Sequence, residues 1–304
     1  MCIICDFADY PEGLEYLNTF TEINCEGCEN VRVIPKLESL EELDCSGCVS
    51  LTEIKQMNNL IILYCSDCVS LTTIAKMDTL IKLNCSGCYL LTEIVKMESL
   101  QELECSCCPL ITKIVNMRNL VDLFCACCKN LSVIERMDTL VRLNCSGCEL
   151  ITEIVEMPNL KELDCSGCSI KTIVRMNNLY DLRCRMCYSL QNIEKMDNLN
   201  TICCYTCPLL TKIVRMDKLQ NIYCDQCPLL YVNIFNRQHI QEELPYTPKG
   251  KSTKAGIYVL KFLKKMTRFY HKSKMEKISL EQETKGLTGV SSDVIEHMIC
   301  KFLF

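Results

Sequence analysis

The chain has 304 residues, of which 28 are cysteine and none tryptophan, and a net charge of −5. It is far too long for a disulfide-stapled secreted module, which normally stays below about 80 residues, and no apolar run reaches the ~18 residues of a membrane span. The charge is unevenly spread: residues 249–277 hold ten Lys/Arg and one Glu, so that stretch is +9 and the remainder −14.

The chain opens Met1-Cys2-Ile3-Ile4-Cys5-Asp6, with no basic segment and no cleavage pattern after it. The expectation is an intracellular, cytoplasmic protein with mostly reduced thiols. Cys5 lies one period before Cys25, with Ala8 where a second cysteine would fall, so residues 1–20 read as a degenerate capping coil.

Cysteine pairs separated by two residues then recur every 20 residues, from Cys25/Cys28 and Cys45/Cys48 to Cys165/Cys168. The spacing slips once to 19 and continues as Cys184/Cys187, Cys204/Cys207 and Cys224/Cys227, making eleven pairs. One unit reads Leu40-x-x-Leu43-x-Cys45-x-x-Cys48-x-x-Leu51-x-x-Ile54-x-x-Met57, and Leu60 opens the next. Leu43-x-Cys45 has the period-two alternation of a short strand. Gly27, Gly47, Gly87, Gly147 and Gly167 supply sharp turns before the second cysteine. The third-residue recurrence of Leu51, Ile54, Met57 and Leu60 suits an extended or 3₁₀-like return, with no room for an α-helix. One coil cannot offset the ordering of its own backbone, so the coils must stack on a shared core.

This unit resembles the leucine-rich repeat, L-x-x-L-x-L-x-x-N/C-x-L, with Cys45 at the third leucine and Cys48 at the Asn/Cys position. The resemblance covers about residues 1–230 and implies an α/β solenoid of leucine-rich-repeat type. Its short parallel strands would carry extended or 3₁₀ returns and a small α-helical C-terminal region. The expected organisation is a cap at 1–20, an eleven-coil solenoid at 21–232 and a helical region at 233–304. In style the chain resembles the cysteine-rich leucine-rich-repeat proteins of giant DNA viruses of amoebae, which would place it in host cytoplasm. At the slip, one residue is missing between Cys168 and Ile173, which predicts a tightened turn with Ile170 in place of the usual Leu.

The cysteines read as small, buried apolar side chains. Structural zinc and redox chemistry are the alternatives. A regular ladder spreads equivalent sulfurs evenly along the stack, so no metal and no other cofactor is expected. Cys2, Cys107, Cys127, Cys203 and Cys300 fall outside the ladder, and Cys203 should point outward from its strand.

Residues flanking the inward Leu of each strand should line the concave face. The candidate binding residues there are Glu42, Asp44, Ile62, Tyr64, Lys82, Glu102, Glu104, Asp122, Phe124, Arg142, Glu162, Asp164, Arg183 and Tyr223. They follow a three-coil superrepeat: acidic pairs at 42/44, 102/104 and 162/164, aromatics at 64 and 124, bases at 82 and 142. Aromatics among charges are the make-up of a binding patch, and leucine-rich repeats bind through this face. An ordinary solvated face, copied by duplication, is the alternative. The acidity argues against nucleic acid here.

The expected role is a monomeric, non-catalytic scaffold for an unidentified protein partner. No phosphate loop and no H-E-x-x-H is present, and the histidines are His239, His271 and His297. After Leu230 the pattern changes. A basic amphipathic helix is predicted from Ser252/Thr253 to about residue 274, capping the solenoid or meeting an anionic membrane surface or RNA. A last helix opened by Asp293 and Glu296 weakly resembles the first helix of an F-box, with Ser291-Ser292 where Leu-Pro is usual. That resemblance implies, as alternative, a ubiquitin-ligase substrate adaptor.

Overall fold

The computed structural model describes residues 2–230 apart from 8–10, 215, 225 and 228. The predicted basic helix, the F-box-like segment and the boundary at 232/233 lie outside the described residues.

In place of the expected degenerate coil, the first 20 residues form two short helices, α1 (Ile3–Phe7) and α2 (Pro11–Leu17). Pro11 suits a first helical position, where its missing N–H is not needed. Ile4 and Leu17 join the core that runs through the coils. Gly13 lets α2 approach α1, because a Cβ there would collide with the Phe7 carbonyl.

Eleven three-residue strands then pair in parallel and in chain order, from Glu22–Asn24 to Asn221–Tyr223. The register steps by one repeat, Glu22 opposite Glu42, and absorbs the slip by setting Glu162 opposite Asp181. Two-residue strands on the return side pair in parallel as well, for example Val33–Ile34 with Glu53–Ile54. The described residues from Glu22 to Tyr223 therefore form a parallel β-solenoid with extended returns. At the slip the predicted substitution holds: Ile170 is fully buried and the turn after Cys168 is cut short, with the Ser169 N–H donating to the Ile151 carbonyl at 3.0 Å.

Every position of the repeat pattern faces inward. Leu40, Leu43, Cys45, Cys48, Leu51, Ile54 and Met57 are each at most 1% exposed. At the corner after each long strand the sheet's hydrogen bonding continues: the Cys45 N–H donates to the Tyr64 carbonyl and the Gly47 N–H to the Ser66 carbonyl, at 2.8 and 2.7 Å.

The carbonyl of each first cysteine points into the interior, where an unpaired acceptor is costly, and in five coils it already accepts the N–H of its own coil's second cysteine, as Cys45 does from Cys48 at 3.3 Å. The second cysteine of the next coil meets it. Cys48 donates its S–H to the Cys25 carbonyl, Cys68 to Cys45, and so on to Cys227 on Cys204, ten bonds of 2.9–3.2 Å. The corner before each strand is tied by side-chain amides and hydroxyls instead. Asn59, Asn119, Asn159 and Asn198 donate to carbonyls of the preceding coil, as do Thr79 and Thr139.

Replacing Cys88 with Ala removes the donor to the Cys65 carbonyl and is expected to cost ~1–3 kcal/mol in urea unfolding. Cys107→Ala, at an exposed turn, should stay within about 0.5 kcal/mol of the parent.

Candidate functional site

The outward face of the eleven-stranded sheet carries all the candidate residues, since most long strands bury only their central side chain. Sheet pairing sets Asp44 beside Tyr64 and Tyr64 beside Asn84, and sets Asp122 between Glu102 and Arg142. Tyr64 and Phe124 are half-buried rather than fully exposed, while Arg142, Glu162, Arg183 and Tyr223 are exposed.

Two aromatic–base pairs recur three coils apart. Lys82 Nζ stands 5.6 Å from the centre of the Tyr64 ring, and the Arg142 guanidinium 5.9 Å from that of Phe124, both within cation–π range. Each base also holds a carboxylate, but in opposite directions. Lys82 reaches forward to Glu102 at 3.0 Å, because Ile62 behind it offers no charge. Arg142 reaches back to Asp122, its Nε and Nη2 donating to the two carboxylate oxygens at 2.5 and 2.6 Å. Asp122 is the buried charged group among the described residues, and this two-point pairing explains how it tolerates burial. Ahead of Arg142 a shallow depression is lined by Phe124, Asp164, Asp181 and Arg183.

A second regularity separates candidate residues by role. Every coil needs a left-handed backbone at the residue before its second cysteine, with φ between 53° and 74°. Five coils place glycine there, and those same five carry Asn or Asp at the end of the strand, Asn24, Asp44, Asn84, Asn144 and Asp164. Each of these side chains accepts the backbone N–H two residues on, at 2.9–3.0 Å, capping the turn. Asp44 and Asp164, read from sequence as binding residues, are thus committed to their own turns. The other six coils have neither feature. They hold the left-handed position with Asp67, Cys107, Cys127, Met186, Thr206 or Gln226 and present Tyr64, Glu104, Phe124, Arg183, Cys203 or Tyr223 on the face. A non-glycine residue in this conformation costs roughly 1–2 kcal/mol, and the lost cap about 0.5–1.5 kcal/mol more. Local strain of this kind concentrates at functional positions.

Among these six, Cys203 departs from expectation. It does lie outside the core cluster, but it is only 5% exposed. Arg185 covers it, donating from Nε to the Cys203 sulfur at 3.0 Å with its guanidinium 5.7 Å from the centre of the Tyr205 ring. Sequence reasoning missed Arg185 and Tyr205, which lie one residue beyond the first cysteine of their coils rather than on the strand.

Glu104 is held above the ordinary carboxylate range, first by burial and then by the charge of Glu102. Asn84 donates to it at 2.9 Å.

The inward thiols divide: several first-of-pair cysteines are raised, while hydrogen bonding to Cys25 pulls Cys48 down to about 7 and hydrogen bonding to Cys105 and Cys148 pulls Cys128 down to about 4. Hydrogen bonding to Cys68 and burial raise Cys45 well above the ordinary thiol value, and the same causes act on Cys65, Cys85 and Cys105 with their own neighbours. A third grouping was not foreseen: Cys2, Cys5 and Cys28 bring their sulfurs within 4.8 Å of one another. The signal for it in the sequence is Cys2-x-x-Cys5, which repeats the pair spacing one step ahead of the ladder.

Together these observations define a parallel β-solenoid of leucine-rich-repeat type with a mixed aromatic and charged strand face. No family model and no curated protein sequence matches the chain. Among solved structures it is similar to a leucine-rich repeat protein from Bacteroides ovatus, at 15% identity and a TM-score of 0.39, over 69% of this chain and 76% of that one. Among the described residues no helix is long and apolar enough to cross a membrane.

Met186→Gly relieves a left-handed methionine and is expected to raise unfolding stability by ~0.5–1 kcal/mol, the strain removed less the entropy of glycine. Glu104→Gln should also stabilise at neutral pH. A carboxyl whose folded pKa lies above its unfolded value binds its proton more tightly when folded, so the native chain loses stability as pH rises through that folded value. The gain from Gln, below about 1 kcal/mol at this partly exposed site, should therefore vanish as denaturation is followed into the acidic range.

Proposed function

We propose that this chain is a non-catalytic scaffold that binds a protein partner on the outward face of its long-strand sheet. The observation that carries this reading is the trade made in the aromatic coils. Tyr64 and Phe124 stand where five other coils place a turn-capping Asn or Asp, at a cost to their own turns. A face kept only for solvation gains nothing from that exchange. The two aromatics each lie beside a base, three coils apart, and supply the large, rigid contact area typical of interface anchors. The surrounding carboxylates Glu42, Glu102, Glu104 and Glu162 favour a basic or mixed protein surface over nucleic acid.

The test uses Tyr64→Asn and Phe124→Asn, which remove each aromatic while installing the residue type that caps the other turns. The folded chain should keep its thermal stability, and capture of its partner, compared by quantitative mass spectrometry of affinity-purified material, should fall by ~10-fold or more. Undiminished capture by the double variant would move the binding site off this face.

A further inference from the structure

From Cys48 onward each second cysteine has a carbonyl of the preceding coil to which it donates. Cys28 is the first of the series and has no coil before it. Helix α1 stands there instead, and it brings two more thiols. Cys5 Sγ lies 3.4 Å from Cys28 Sγ, and Cys2 completes a triangle whose sides are all within 4.8 Å. A disulfide needs about 2.05 Å, so the Cys5 and Cys28 sulfurs are not bonded. Three sulfurs around one tetrahedral zinc at about 2.3 Å stand about 3.8 Å apart, close to the 3.4 Å of Cys5 and Cys28 and inside the 4.8 Å that encloses all three.

The spacing agrees with the geometry. Cys2-x₂-Cys5 and Cys25-x₂-Cys28 are separated by 19 residues, within the pattern of paired-cysteine zinc sites. Cys25 is not one of the three, and it is buried and hydrogen-bonded to Cys48. Backbone N–H groups also converge on the sulfurs: those of Asn30 and Val31 on Cys28, those of Ile4 and Cys5 on Cys2. Such bonds favour a thiolate. At Cys28 burial opposes ionisation, but the N–H groups and the Cys2 and Cys5 thiols outweigh it and hold its pKa below the ordinary value. Cys5 is pushed up to about 12, by burial and by its two neighbours.

We propose that Cys2, Cys5 and Cys28 are a three-thiolate site for one Zn(II) ion, with a fourth position open to water or an external ligand. Binding takes the thiol protons into solution, so affinity rises with pH. The ion would tie α1 to the first coil and so close the end of the stack.

The test uses the full chain, purified reduced. It should take up one equivalent of Zn(II), and Co(II) in its place should show thiolate-to-metal charge transfer and tetrahedral d–d absorption. Cys5→Ser and Cys28→Ser should weaken uptake by more than the ~10–100-fold that follows loss of an outer-shell partner. Cys107→Ser/Cys127→Ser, at exposed turns of the ladder, should leave it unchanged. Circular dichroism of Cys5→Ser, an exposed position, reports that the variant is folded. Wild-type protein that takes up no stoichiometric ion, uptake that survives both single variants, or a Cys5–Cys28 disulfide under these reducing conditions would each overturn the assignment.

Discussion

Each coil turns a corner inside its own core, and the carbonyl at that corner needs donors that admit no water. In five coils it takes one backbone N–H from its own coil, and in every coil that a further coil follows it takes a thiol from that next coil. The donor must be small enough for a crowded interior, apolar enough to sit there, and able to give one hydrogen bond. A neutral thiol meets all three conditions. That accounts for a cysteine at the same corner in coil after coil, with each S–H on the carbonyl of the coil before it. The first-of-pair thiols Cys45, Cys65 and Cys145 are raised in pKa by their neighbours and by burial.

The same corner links the interior to the surface. Its left-handed residue can be glycine under an Asn or Asp cap, or a larger residue without one. The first choice gives a relaxed turn and leaves the end of the strand occupied by the cap. The second frees that position for Tyr64 or Phe124 at a local energetic cost. Turn stability and surface chemistry are therefore linked through one pair of positions in each coil. At the N-terminal end the series meets its limit: Cys28 has no carbonyl to serve, and its sulfur faces Cys2 and Cys5 instead.

The solenoid was legible because its signal is periodic. Leu43, Cys45, Cys48 and Ile54 recur in register, and a pattern repeated so often fixes which side chains face inward before any coordinate is known. The shortened turn at Ile170 could be read for the same reason, as a single missing residue in an otherwise constant frame. The repeat frame does not extend into residues 1–20. Cys5 keeps the period by position, but Pro11 and the absence of the strand pattern favour helices. The face residues were found by alternation alone, which gives direction and says nothing of neighbours. It could not show that Asp44 and Asp164 bend back onto their own turns, or that Asp122 is buried under Arg142. Alternation sets Cys203 off the core cluster, yet the cover over it comes from Arg185 in the preceding coil, a contact that depends on stacking.

The claim that the paired thiols are interior hydrogen-bond donors is tested most directly by alkylation of the reduced, folded chain, with each cysteine quantified by mass spectrometry before and after denaturation. The account predicts that Cys107 and Cys127 react in the native state, while Cys45 through Cys207 of the ladder react only on unfolding. Ladder cysteines that label in the folded chain as fast as Cys107 would contradict it.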